Sequence, residues 1–203
     1  MKLRPGQMAP SFTVTDILGR RVALEEYRGR SVLVSFNRAA VCPLCNVRTY
    51  HLIRRYPLYQ RMGLQVIAFF ESSPERAHFY LDRLQAPYPI VADQRHSVYD
   101  LYGLGASFPG GLWAFLTRRR VYREAGRLRL GAGQNLLENL WRMDGNLSRL
   151  PGDFLLGPDG RIQLAYYGRD AGDFLTFNAL EAAAFGAPLD ERLVAQAPIP
   201  RFK

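Results

Sequence analysis

The stretch Ser31-Val-Leu-Val-Ser-Phe36 is short, almost continuously apolar and rich in β-branched residues, and Cys42-Pro43-Leu44-Cys45 follows it closely. A strand without a polar face has nothing to offer water, so it must sit inside a sheet covered on both sides. After the cysteines, Val47, Tyr50, Ile53 and Tyr56 recur at helical spacing until the pattern runs out near Pro57 and Gly63. A second apolar run, residues 64–70, reads as another buried strand. Strand, helix and strand in this order require a right-handed parallel crossover, which confines the chain to an α/β fold.

The flanking segments add to that unit. Residues 11–27 alternate apolar positions (Phe12, Val14, Val22, Leu24) about a Leu18-Gly19 turn, the pattern of a hairpin. Ser73-Pro74-Glu75 opens a helix with a cap, a proline at the first helical position and an acid in the first turn. Residues 87–93 read as a short extended piece and 97–104 as a short helix. Residues 152–168 form two strands around Pro158-Asp159-Gly160, and a closing helix ends on Gly186 as its cap. Phe69, Phe70, Tyr166 and Tyr167 read as core and strand packing, and His78 and His96 as structural or surface residues.

A central mixed β-sheet flanked by helices is therefore predicted, with an N-terminal β-hairpin extension and one domain over 1–203. Residues 103–149 fall outside this plan, carrying eight arginines against two glutamates and one aspartate. Leu136, Leu137, Leu140 and Trp141 suggest a short amphipathic helix there. The segment reads as a basic insertion packed on the domain or on a second copy, so a homodimer is one expectation.

The cysteine pair carries the chemistry. Cys42 ends the strand-to-helix turn, Pro43 takes the first helical position and Cys45 lies in the first turn. The free N–H groups and positive dipole end at that terminus favour a thiolate on Cys42. A zinc site wants four ligands, whereas the chain offers two cysteines and three scattered histidines, with His51 on the wrong side of the helix. No metal and no cofactor are expected. A redox pair is the reading that remains, against two inert buried thiols.

The chain carries 27 Lys and Arg against 18 Asp and Glu, a net charge of +9. Such a balance suits nucleic acid, an acidic partner or plain solubility. In the basic segment the arginines alternate with core-like Leu and Trp rather than with exposed stacking aromatics, which argues against nucleic acid. No run is long and apolar enough for a membrane span, and the N-terminus lacks a secretory pattern. The expected compartment is the cytoplasm, where a Cys-x-x-Cys pair is more often catalytic than structural.

Three stretches together resemble the peroxiredoxin-like (alkyl hydroperoxide reductase/thiol-specific antioxidant) branch of the thioredoxin-fold superfamily. They are GQMAPSFTVTDILGRRVAL (6–24), SVLVSFNRAAVCPLC (31–45) and LPGDFLLGPDGRI (150–162). The resemblance implies a thioredoxin fold, an antioxidant role and thiol chemistry on a disulfide or hydroperoxide. It also implies a thiol reductant, of the thioredoxin or glutathione system. Laid on the family's Pro-x-x-x-Thr-x-x-Cys, Cys45 takes the attacking cysteine's place, Cys42 the threonine's and Arg38 the proline's. Pro151 matches a thioredoxin cis-proline that would hold substrate backbone beside the sulfurs, with the insertion lying before its strand. Arg38 and Arg149 are candidates to stabilise a thiolate or bind an anionic group such as a glutathione carboxylate.

Two mechanisms follow. In one, Cys42 attacks and Cys45 resolves; in the other, Cys45 is peroxidatic and Cys42 resolves. A third reading, from another class, is a binding module that uses the basic insertion.

Overall fold

Every residue of strand β3 (Ser31–Phe36) after Ser31 is buried, as its composition demands. The computed structural model describes residues 1–107, 118–128, 145–146 and 148–197. Around β3 lie β4 (Leu64–Phe70), β5 (Ile90–Ala92), β6 (Gly152–Leu156) and β7 (Ile162–Tyr167), in the order β5-β4-β3-β6-β7. The strands β3, β4 and β5 are parallel, linked through α1 (Pro43–Arg61) and α2 (Pro74–Leu81). The late hairpin adds β6 antiparallel to β3, and β7 antiparallel to β6. A mixed sheet flanked by helices results. The hairpin β1 (Thr13–Thr15) and β2 (Arg21–Ala23) stands apart as a two-stranded sheet. The remaining helices are α3 (Ser97–Leu101), α4 (Arg119–Arg127), α5 (Phe177–Phe185) and α6 (Glu191–Gln196).

Alternation along β3 builds two different faces. Val32, Val34 and Phe36 join Phe12, Phe69, Tyr99, Tyr102 and Phe154 in an aromatic cluster. The Phe36 ring stacks on Phe69 at 4.9 Å between centroids and meets Tyr99 edge-on at 5.0 Å. Leu33 faces α1 instead, among Leu52, Ile53, Val66, Ala68 and Leu155. On that side Ser35 donates to Asp153 at 2.7 Å, and Arg48 lies 3.4 Å from the same carboxylate.

The N-terminal segment crosses the aromatic face. Gly6 donates to the Ile162 carbonyl at 2.8 Å and Ile162 donates back to Gln7 at 2.9 Å, beside β7. Ala9 and Phe12 then enter the aromatic cluster, and Ile17 donates to the Ile90 carbonyl at 2.9 Å beside β5.

Several local signals act as their chemistry implies. The Ser73 side chain accepts from Arg76 N–H, and Gly186 closes α5 in the left-handed region at φ 84°. Pro57 does not end α1: the helix runs on to Arg61, with Gly63 (φ 83°) just beyond its cap. An interior proline costs about 3 kcal/mol, and the burial of Ile53, Tyr56 and Tyr59 on both sides of it offsets that cost.

The expected cis bond at Pro151 is corrected, since no described residue has a cis peptide bond. Ser107 donates to Ser148, Leu150 to Gly105, and Ala106 bridges Arg149, so the chain arrives at β6 already extended. A trans bond continues that direction, and the extended conformation is the one a residue before proline prefers.

Of the basic segment 103–149, residues 103–107, 118–128, 145–146 and 148–149 are described, and α4 packs on α1 with Ala125 buried and a 2.8 Å contact between His51 and Glu124. The predicted helix around Leu136, Leu137, Leu140 and Trp141 lies outside the described residues.

Candidate active site

The register brings three strand ends together. Phe36 pairs with both Phe69 and Gly152, so the carboxyl ends of β3 and β4 meet the start of β6. Beyond Phe36 the chain stays tied to β4, with Asn37 donating to Phe69 at 2.8 Å and Glu71 to Arg38 at 3.2 Å. The Tyr99 hydroxyl donates to the Asn37 carbonyl at 2.6 Å, and Ala40 N–H donates to Ser72 Oγ at 2.8 Å.

Cys42 is the N-cap of α1, with extended backbone (φ −64°, ψ 118°) and Pro43 at the first helical position. Its carbonyl accepts from Asn46 N–H at 3.0 Å, while its sulfur makes no capping bond and is left for chemistry. Asn46 also reaches back with Nδ2 to the Ala40 and Cys42 carbonyls, at 2.6 and 2.9 Å, and is fully buried. That clamp holds the turn that presents Cys42. Nothing in the spacing of the cysteines announces it, although an asparagine four residues after an N-cap is placed to reach the cap's carbonyl.

Both cysteines are free thiols, with Cys42 4 % and Cys45 0 % exposed. The Cys42 thiol is lowered from 9.0 to about 6, chiefly because Cys45 donates its S–H to the Cys42 sulfur. Burial opposes the shift, and Arg38 and the N–H groups of Leu44 and Cys45 reinforce it. The Arg38 guanidinium lies 3.8 Å from Cys42 Sγ and its backbone N–H donates to Cys45 Sγ at 3.3 Å. Burial, then the bond to Cys42, push the Cys45 thiol well above 9.0. The helix terminus expected to favour the thiolate thus contributes, and the neighbouring thiol contributes more. The arrangement makes one poised sulfur and one protonated reserve a helical turn away.

The structure sorts the other candidates. Arg38 joins the cysteines. Arg149 is buried, ion-paired to Glu71, bonded to the Leu104 carbonyl at 3.0 Å and set over the Tyr99 ring, so it braces the loop wall behind them. Pro151 sits at the shared end of the sheet, with its carbonyl accepting from Gly168 at 2.8 Å. Among the described residues no cluster of three His, Cys, Asp or Glu could hold a metal ion. Tyr122 of α4, packed against the cluster that contains both cysteines, is a further member; burial and then the Cys42 charge push its hydroxyl up to about 12.

Among the described residues no helix is long and apolar enough to cross a membrane. The family model of the AhpC/TSA family matches residues 5–165. Over 101 residues the chain is 31% identical to thiol-disulfide oxidoreductase ResA of Geobacillus thermodenitrificans, covering 49% of this chain and 58% of that protein. Over 121 residues it is 26% identical to chloroplastic peroxiredoxin Q of Gentiana triflora, covering 60% of this chain and 54% of that one. The chain therefore spans little more than half the length of these curated relatives. The solved structure of peroxidoxin BcpB from Mycobacterium tuberculosis superposes with a TM-score of 0.60 at 12% identity, over 95% of both chains. That likeness is one of fold, the thioredoxin-type sheet.

Proposed function

The chain belongs to the AhpC/TSA family, and from that premise we propose that it is a thiol oxidoreductase in which Cys42 attacks and Cys45 resolves. The observation that carries this reading is the asymmetry of the pair: Cys42 is held near 6 while Cys45, with no exposure, is held protonated. With a disulfide R–S–S–R′, the Cys42 thiolate bonds to one sulfur and expels R′S⁻. Cys45 then gives up its proton, attacks the Cys42 sulfur and releases RS⁻. The substrate gains two electrons, and Cys42 and Cys45 end as a disulfide. With a hydroperoxide the first step gives the Cys42 sulfenic acid and an alcohol, and Cys45 condenses with it to release water. An external reductant, one dithiol of the thioredoxin type or two glutathione thiols, takes up the disulfide's oxidation and returns both sulfurs to thiols.

Arg38 supports the thiolate in either course. Pro151, buried and on a trans bond, lies at the same sheet end. The opposite order, with Cys45 attacking first, asks the more deeply buried and raised thiol to act before a neighbour whose thiol is lowered. The mechanism predicts that Cys45→Ser accumulates mixed disulfides with an offered disulfide while Cys42→Ser accumulates none. Peroxide consumption that survives Cys42→Ser and vanishes in Cys45→Ser would reverse the roles. Comparing peroxide consumption with insulin reduction then assigns the preferred substrate.

A further inference from the structure

Helix α4 breaks two local rules at once. Arg119, Arg123 and Arg127 repeat at four-residue spacing, which sets like charges side by side along one face. Arg119 and Arg120 also occupy the amino-terminal turn, where the helix dipole disfavours cations. All four are exposed, and among the described residues none of them makes an ion pair. The helix's one acid, Glu124, is engaged with His51 at 2.8 Å, and Arg118 with Asp170 at 2.9 Å. Local conflicts of this kind mark surfaces whose compensation comes from elsewhere.

The position of the helix says where the compensation acts. A side-chain carbon added at Gly172 would meet Leu44 Cδ1 at 3.2 Å and Arg118 Cγ at 3.3 Å, so the start of α4 borders the Cys-Pro-Leu-Cys motif itself. One turn on, Tyr122 lies in the field of Cys42. The arginine face therefore starts beside the site at Arg119 and runs from there along the outer side of α4, away from the packed Ala125.

We infer that the exposed arginine face of α4 is the docking surface for an acidic protein that exchanges electrons with Cys42. This rests on the redox reading of the pair and adds the class of its partner. Carboxylates on the partner would offset the repulsion along α4 while bringing a dithiol or disulfide to the motif beside Leu44. A nucleic acid answers the charge but not the position, since a phosphate backbone brings nothing for a thiolate to attack. The helix also shows no exposed aromatic for base stacking, its one ring, Tyr122, being packed against the core cluster.

The test uses the full chain and its R119E/R123E/R127E variant, with a fixed hydroperoxide as the oxidant, a reduced thioredoxin of net negative charge as the protein probe and dithiothreitol as the small one. Acids at an amino-terminal turn favour the helix, and circular dichroism with a melting curve checks that the variant folds. We expect kcat/KM with the acidic thioredoxin to fall roughly tenfold or more in the variant, and to fall with ionic strength in the unmodified chain. Turnover with dithiothreitol stays within twofold. Unchanged, salt-insensitive kcat/KM in the folded variant overturns the inference. So does tighter binding of a generic double-stranded oligonucleotide than of the thioredoxin. Binding of the acidic thioredoxin to the Cys42→Ser chain is measured in parallel, with and without the three reversals. If the unmodified chain fails even with dithiothreitol, the redox reading fails, and this binding difference still decides the docking surface.

Discussion

The two faces of the central sheet are built from opposite materials. On one, Phe12, Phe36, Phe69, Tyr99, Tyr102 and Phe154 interlock ring against ring. On the other, beneath α1, the apolar packing is interrupted by Arg48 against Asp153, Arg55 against Glu181, and the thiol pair with Arg38. A buried ion pair gives little net stability and makes its partners mutually dependent. The aromatic face holds the fold through area, and the helical face spends part of its interior on groups whose charge has to be positioned. The chemistry lies at the end of the second face, where α1 buries Cys45, Asn46, Arg48, Thr49 and Arg55 among its apolar residues.

This contrast can be broken experimentally. The largest expected effect is on the reactive end: Cys42→Ser abolishes turnover, measured with any disulfide or hydroperoxide substrate, while the chain still folds cooperatively. Next comes Phe36→Ala, which removes the centre of the ring cluster and lowers unfolding free energy by about 3–5 kcal/mol. Denaturant titration reads the loss, and the Cys42 alkylation profile of the folded fraction stays in place. If that profile moves as far as the stability does, the two faces are not separable. Asp153→Ala strands Arg48 in the interior and withdraws the acceptor of Ser35 Oγ and Leu175 N–H, at an expected cost of about 3 kcal/mol. Arg48→Met added to Asp153→Ala recovers most of it in the same titration.

Smaller effects sharpen the site. The iodoacetamide alkylation rate of Cys42 climbs as pH rises through about 6 and levels off above, rather than near the 9.0 of a free thiol. The folded value lies below the unfolded one, so the thiolate's contribution to the reduced fold is complete above 9.0 and fades as pH falls through about 6. Arg38→Met moves the alkylation midpoint upward by about 1 unit, because the opposite charge beside the sulfur is gone. Asn46→Ala costs about 1–2 kcal/mol for the released carbonyls and blunts the profile without abolishing turnover.

Much of this was legible before any coordinates. An all-apolar β3, a proline at the first turn of α1, a serine cap at Ser73 and a Pro-Asp-Gly turn each act through local physics, and local physics is written in short stretches. Features that failed to show depend on distant partners. Pro57 looks like a stop signal until the burial of Tyr56 and Tyr59 outweighs the missing hydrogen bond. Arg149 looks like a surface arginine until Glu71, from the end of β4, meets it. Pro151 resembles a cis-proline by its neighbours in sequence, but the ladder between 105–107 and 148–150 sets its geometry. The cysteine pair was readable as a pair, while the dominance of Cys45 over the helix terminus in tuning Cys42 required the placement of both sulfurs.

The segment from Gly6 to Ile17 bridges β7 and β5, the two outermost strands. Outer strands expose rows of unmatched backbone groups, which serve as templates for another molecule's strand. One continuous strip of chain covers part of both templates here, so they are guarded together or not at all. Cleavage within this strip would open the two borders in a single event.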